Sequence, residues 1–187
     1  MKAEERFRQA LADLSCQLVQ AADGKEAAAA VLHALRQRRV TEVVAWAEPW
    51  LSELGLPQAA RQAGISWYAP PAGTDSAEVR EAAARAGAGV TGADWGVAET
   101  GTLALLSGPG RPRMTHLLPP LHIALLSRTR LLPDMAALFR EMAALARLGA
   151  TPSALQLVTG PSRSADIADV LVRKVHGPGE VMVVLVG

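Results

Sequence analysis

The sequence predicts an α/β fold in which a mainly parallel sheet is flanked by helices and carries an antiparallel β insertion. Three observations lead there. In the first half, helical stretches of roughly ten to fifteen residues alternate with short apolar runs, the pattern of strand and crossover helix in a parallel sheet. From Gly92 to about Arg130 that alternation stops, and several short apolar runs are separated by Gly and Pro. After Pro133 the alternation returns and the chain closes on the apolar run "VMVVLVG".

Phe7, Leu11, Leu14 and Leu18 recur at helical spacing, which predicts an amphipathic helix over about residues 3–20 that docks on its own domain or on a partner. A second helix is expected from Asp23 and Gly24 to about Arg39, followed by "TEVVAWAE" as a short buried strand. Pro49 is placed to open a helix running to about Gln62, Gly64 stops it, and "ISWYA" is the next strand. Asp75 or Ser76 caps a further helix, which Gly87 ends before a strand around Val90.

In the insertion, from about Ala93 to Arg130, Gly101 separates two runs and Gly108-Pro109-Gly110 makes a turn. Pro119-Pro120 parts "THLL" from "LHIALLS", and these runs are expected to be antiparallel strands. A helix follows with Met135, Leu138, Met142 and Leu145 on one face. "ALQLVTG", "ADIADVLVRKV" and "VMVVLVG" then read as strand, helix and strand.

Composition limits the function. The 187 residues are 50% hydrophobic and 20% charged, which suits one compact domain spanning 1–187 with a sizeable core. Nineteen basic and eighteen acidic residues leave a formal charge of +1, so no broad field exists to grip nucleic acid or an anionic membrane. Cys16 is the one cysteine, so the chain alone can form neither a disulfide nor the thiolate cage of an iron–sulfur cluster. The N-terminus carries acids, and no apolar run has the length of a signal peptide or a membrane span, so a cytoplasmic location is expected.

Polar residues at the ends of buried strands are where α/β sheets place their ligands. The stretch "VAETGTLALL" sets Glu99, Thr100 and Thr102 between two apolar runs, shortly after Thr91, Gly92 and Asp94. A carboxylate buried there would need a partner or a strongly raised pKa. Glu99 therefore either accepts backbone N–H groups or pairs with an arginine such as Arg163, or it faces a cleft as base, nucleophile or ligand-binding group. A second segment runs through Thr159, Gly160, Pro161, Ser162 and Arg163 into a helix expected near Ser164. Its free N–H groups and side-chain donors suit a phosphate or carboxylate, and plain capping by Ser162 or Ser164, with Asp166 favoured by the dipole, is the other reading.

Among the histidines, His116 and His122 stand six apart across Pro119-Pro120, outside regular metal-ligand spacing, so no metal site is expected. A buried, hydrogen-bonded role is favoured for His122, and His176 lies in a turn before the last strand. The expected site gathers Asp94, Glu99, Thr100, Thr102, His122, Thr159, Gly160, Ser162, Arg163 and Ser164 at one end of the sheet around a small anion.

Taken in order, "GVTGADWGVAETGTLALLS", "LLPPLHIALL" and "TGPSRSADIADVLVRKVHGPGEVMVVLVG" resemble the LUD-domain family. The motif positions are Gly92 and Asp94, Ala98 to Thr102, Pro119 with His122 and Ile123, Thr159 to Ile167, and Val175 to Pro178. The resemblance implies a fold similar to the sugar-phosphate isomerase and CoA-transferase group. It implies a subunit of a system that oxidises L-lactate to pyruvate alongside partner subunits holding the iron–sulfur clusters, with no cofactor in this chain. The family usually carries a longer N-terminal region. Glu99-Thr100-Gly101 is similar to the Glu-Asn-Gly context of the catalytic glutamate in CoA transferases, with Thr replacing Asn. Two further readings are a free-standing enzyme acting on a CoA ester or phosphorylated small molecule through Glu99, and a non-catalytic structural adaptor.

Overall fold

The computed structural model describes residues 2–165, 171–173 and 177–187, leaving aside the side chains at 163–165 and 171–173. Helix α1 (Ala3–Asp13) buries Phe7 and Leu11, so it docks on its own chain. It ends well short of residue 20. Ser15 takes φ +60°, the chain turns, and Gln17–Ala21 forms strand β1. Leu18 belongs to that strand, where its backbone pairs with Val183; extending the helix would forfeit a five-residue parallel ladder.

Helix α2 (Gly24–Gln37) starts at Asp23, whose carboxylate accepts the Glu26 N–H at 2.9 Å, and buries Val31 and Leu35. Strand β2 (Glu42–Ala45) follows. The single helix expected from Pro49 is two, α3 (Pro49–Glu53) and α4 (Leu56–Gln62), because Gly55 at φ +75° turns the chain between them. Then come β3 (Ser66–Tyr68), α5 (Ser76–Arg85), capped by Asp75, and β4 (Ala88–Ala93). A hairpin of β5 (Trp95–Val97) and β6 (Thr102–Ser107) leads to the short helix α6 (Met114–Leu117), so "THLL" is helical rather than extended. Strand β7 (Leu121–Ser127), a 3-10 turn at Arg128–Arg130, β8 (Leu131–Leu132) and α7 (Met135–Arg147) follow. The remaining strands are β9 (Ala154–Val158), β10 (Arg163–Ala165), β11 (Leu171–Arg173) and β12 (Glu180–Val186).

Six strands form one parallel sheet in the order β1-β12-β7-β4-β2-β3. A mixed four-strand sheet, β8-β5-β6-β9, is the antiparallel addition. The fold is thus α/β with a parallel sheet and a smaller mixed one, but two strands change places relative to the sequence reading. "LHIALLS" is a central strand of the parallel sheet rather than part of the insertion, as suits a run buried on both faces from Leu121 to Leu126. "ALQLV" pairs antiparallel with β6 instead of joining the main sheet.

The helix expected from Ser164 is also corrected. Arg163–Ala165 and Leu171–Arg173 are extended and pair antiparallel, and the rest of that expected helix, with Asp166, lies outside the described residues. Short Val/Leu runs serve helix and strand alike, and periodicity does not separate them.

The core sits on the three middle strands, where Val90, Ile123, Leu125, Val183 and Val184 are fully buried. Each such side chain contributes about 1.5–3 kcal/mol of transfer free energy. From β2 the chain moves outward to β3, whereas from β4 it moves the other way to β7 and then β12. The carboxyl ends of β2 and β4 therefore flank a topological switch point, the place where open α/β sheets leave a crevice.

Candidate functional site

The residues after β2 and β4 fill that switch point with charge. Beyond β2 the chain runs through Trp46 and Ala47 to Glu48, and β4 ends directly before Asp94. Between them lies Arg111, delivered by a tight turn in which the Arg111 N–H donates to the Gly108 carbonyl at 3.0 Å and Gly110 takes φ +72°. The turn is pinned to the end of β2. Ala47 N–H donates to the Gly110 carbonyl at 2.8 Å, and the Trp46 indole N–H donates to the Pro112 carbonyl at 3.1 Å.

Arg111 Nη1 donates to Asp94 Oδ1 at 2.9 Å and Nη2 to Glu48 Oε1 at 2.6 Å, while the guanidinium lies 5.2 Å from the centre of the Trp46 ring. Asp94 Oδ2 accepts the Leu106 N–H at 2.7 Å, which ties this cluster to the β5–β6 hairpin. Glu48 Oε2 is buried against the Gly92 backbone. Burial is the largest influence on the Glu48 carboxyl and raises its pKa; Arg111 opposes this and Asp94 adds to it. Glu48, Trp50, Ala93, Asp94, Arg111, Ser127 and Arg130 line a crevice of about 290 Å³.

A second buried polar group lies deeper. His122, on β7, shares a 2.9 Å hydrogen bond through Nε2 with Thr91 Oγ1 on β4. His116 comes from α6, which is seated so closely on β4 that a Cβ at Gly89 would stand 1.7 Å from the Thr115 carbonyl oxygen. The two imidazoles are 5.5 Å apart, centre to centre. Among the described residues both ring nitrogens of His116, Nδ1 of His122 and Oγ1 of Thr115 are buried without partners. Burial lowers the pKa of His116 to about 4, helped by Arg113, and that of His122 to about 3, helped by His116, so both rings are neutral at physiological pH. No group of three or more His, Cys, Asp or Glu among the described residues is placed to hold a metal.

The other expected site residues lie elsewhere. Glu99 is exposed at the tip of the β5–β6 hairpin and makes no hydrogen bond or ion pair among the described residues. Its neighbours form a hydroxyl chain: Thr100 Oγ1 to Thr102 Oγ1 at 2.7 Å, and Thr102 Oγ1 to Thr159 Oγ1 at 2.9 Å. Ser162 N–H donates to the Pro178 carbonyl at 2.9 Å, just before β12 begins, and Leu14, just before β1, packs against Gly101 and Gly160.

The threonine cluster and the Thr159 loop are therefore together, but at the amino end of the parallel strands. Asp94 is at the opposite end of the β5–β6 ladder from Glu99. The expected Glu99–Arg163 pair involves a side chain outside the described residues, as are the side chain of Ser164 and the whole of His176. Since Ser164 is in a strand, no helix N-terminus presents N–H donors at that residue.

Sequence reading missed Glu48 and Arg111. Arg111 is 63 positions from Glu48 and 17 from Asp94, so no local spacing announces the cluster. Glu48 before Pro49 and Arg111 after a Gly-Pro-Gly turn were the available signals.

The parallel sheet, its mixed companion and a charged crevice at the switch point define a doubly wound α/β protein. The chain belongs to the LUD domain family, whose pattern it matches over residues 4–186. It is 35% identical over 150 residues to "Lactate utilization protein C" of Halalkalibacterium halodurans, covering 80% of this chain and 64% of that one. It is 43% identical over 108 residues to the protein of the same name from Exiguobacterium, covering 57% of this chain and 47% of that one. The chain thus spans less than two thirds of the length of these relatives.

"Uncharacterized protein YkgG" of Escherichia coli is 32% identical over 164 residues, covering 87% of this chain and 69% of that one. A crystal structure of a DUF162 family protein from Deinococcus radiodurans superposes with a TM-score of 0.69 at 23% identity, over 100% of this chain and 99% of the other, and shares the fold. No helix of the described residues is long and apolar enough to cross a membrane.

Proposed function

We propose that this chain is a component of a bacterial lactate-utilisation system, acting with iron–sulfur partner subunits that take electrons from L-lactate as it is oxidised to pyruvate. The observation that carries this reading is its similarity to proteins named "Lactate utilization protein C". Cysteine chemistry supports the division of labour. One cysteine supplies one thiolate, whereas iron–sulfur clusters are commonly held by about four, so electron transfer through clusters falls to other subunits.

The test is genetic and biochemical. A clean deletion is expected to abolish growth on L-lactate while sparing growth on pyruvate. Affinity purification from lactate-grown cells is expected to bring down cysteine-rich partners with stoichiometric iron and sulfide. Normal growth of the deletion strain on L-lactate would overturn the reading.

A further inference from the structure

We propose that the crevice at the switch point binds a small carboxylate that also carries a hydroxyl group. Arg130 and Ser127 hold the carboxylate, and Glu48 and Asp94 hold the hydroxyl. The proposal rests on the lactate reading above only for the choice of its first probe.

Place comes first. The crevice lies outside the carboxyl ends of β2, β4 and β7, where α/β sheets bind ligands. Its two arginines differ in what they have left to offer. Arg111 already spends both terminal nitrogens on Asp94 and Glu48, which makes it a fixed part of the wall. Arg130 lies 6.0 Å from the centre of the Trp95 ring and has no carboxylate partner among the described residues. It is the guanidinium available to an incoming anion.

The opposite wall accepts hydrogen bonds. Carboxyl oxygens accept more than one hydrogen bond each, so Asp94 has capacity beyond the bonds to Arg111 and Leu106, and Glu48 Oε1 has capacity beyond the bond to Arg111 whether or not the buried Oε2 carries a proton. A ligand hydroxyl there satisfies acceptors that a plain fatty acid leaves unpaired. The volume of about 290 Å³ is at the foot of the range of about 300–1,000 Å³ typical of drug-sized ligands, so the occupant has only a few carbons.

Charge closes the argument. Two carboxyl groups and two guanidiniums line the crevice, and a monoanion adds one negative charge to that set. The half-way answer is at Glu48, a mostly buried carboxyl that the protein already pushes toward its protonated form. Anion binding is accordingly coupled to proton uptake at Glu48.

The experiment is calorimetric titration of the full chain with L-lactate, glycolate and propionate. L-Lactate and glycolate are expected to saturate one site, with propionate about tenfold weaker for want of one hydrogen bond to a charged group. Arg130→Ala is expected to weaken both hydroxy acids by about tenfold or more, with Ser127→Ala milder. Arg140→Ala, on the exposed face of α7, is expected to change nothing. Binding heats of the wild type are expected to vary with the ionisation heat of the buffer, and those of Glu48→Gln are not.

Absence of saturable binding, or equal affinity in Arg130→Ala, would overturn the site. If binding is absent while the deletion strain still fails on L-lactate, the site falls and the functional reading stands. If binding behaves as described while the deletion strain grows normally on L-lactate, the site stands and the functional reading falls.

Discussion

Gly92 lies against the carboxyl group of Glu48, so closely that a Cβ at position 92 would stand 2.4 Å from Glu48 Oε2. The absence of a side chain on β4 is what lets Glu48 reach Arg111. Gly92→Ala is expected to displace the carboxylate and cost about 1–3 kcal/mol in urea unfolding, as over-packing does. Gly92→Ala combined with Glu48→Ala, which removes the struck group, is expected to cost no more than Glu48→Ala alone. Additive losses would show that the contact is not the cause.

Arg111 is the counter-charge for two mostly buried acids. Its replacement by Ala leaves Glu48 and Asp94 facing each other without a cation, and a loss of about 3 kcal/mol is expected, the low end for a broken buried pair because Arg111 retains 27% exposure. The same variant is expected to push the Glu48 pKa higher still, since the largest lowering influence has been removed. Denaturant midpoints of Arg111→Ala, Glu48→Gln and the double variant check both claims; Glu48→Gln should relieve part of the Arg111→Ala loss.

Acid should unfold the protein partly through its two buried histidines. Unfolded histidine has a pKa near 6.5, but His116 holds about 4 and His122 about 3 in the fold. Depressed folded values mean that the unfolded chain takes up protons the native chain refuses. The stabilisation is complete above about pH 6.5 and is lost as pH falls toward 4 and then 3. For His116 the ceiling of this effect is about 3 kcal/mol. His116→Phe keeps a ring against Trp46, removes two unpartnered nitrogens, and is expected to match or exceed wild-type stability at pH 7 with a flatter slope to pH 4.5. An unchanged slope would place the acid sensitivity elsewhere.

Thr102 is the middle of the hydroxyl chain from Thr100 to Thr159. Thr102→Val preserves shape, breaks both links and is expected to cost about 1–2 kcal/mol, whereas Thr102→Ser keeps them and costs less. Thermal unfolding of the pair distinguishes hydrogen bonding from packing.

Glu99 is a contrasting case. It is exposed at a hairpin tip, and Glu99→Gln is expected to change stability by no more than about 0.5 kcal/mol. A defect in lactate growth with unchanged stability would assign Glu99 to partner or substrate contact.

Most helices and strands were legible in the chain because their causes are local, whereas β1, α6 and the extended segments at Arg163–Ala165 and Leu171–Arg173 were not. Asp23 and Asp75 cap the helices that follow them, and the run from Val181 to Val186 is too apolar to be anything but buried. Glu99 and Thr100 between two apolar runs were legible as a break, which proved to be the tip of a hairpin.

Only the tertiary structure decided which strands pair. "LHIALLS" could stand in either sheet until β12 and β4 took both its edges, and Gln17–Ala21 became a strand because β12 offered a free edge. The charged crevice has the same origin. Glu48, Asp94 and Arg111 come from three separate loops, and they meet because the chain reverses direction between β2 and β4. Capping and periodicity act over one or two turns of chain, but register and charge pairing depend on which distant backbone closes the remaining hydrogen bonds.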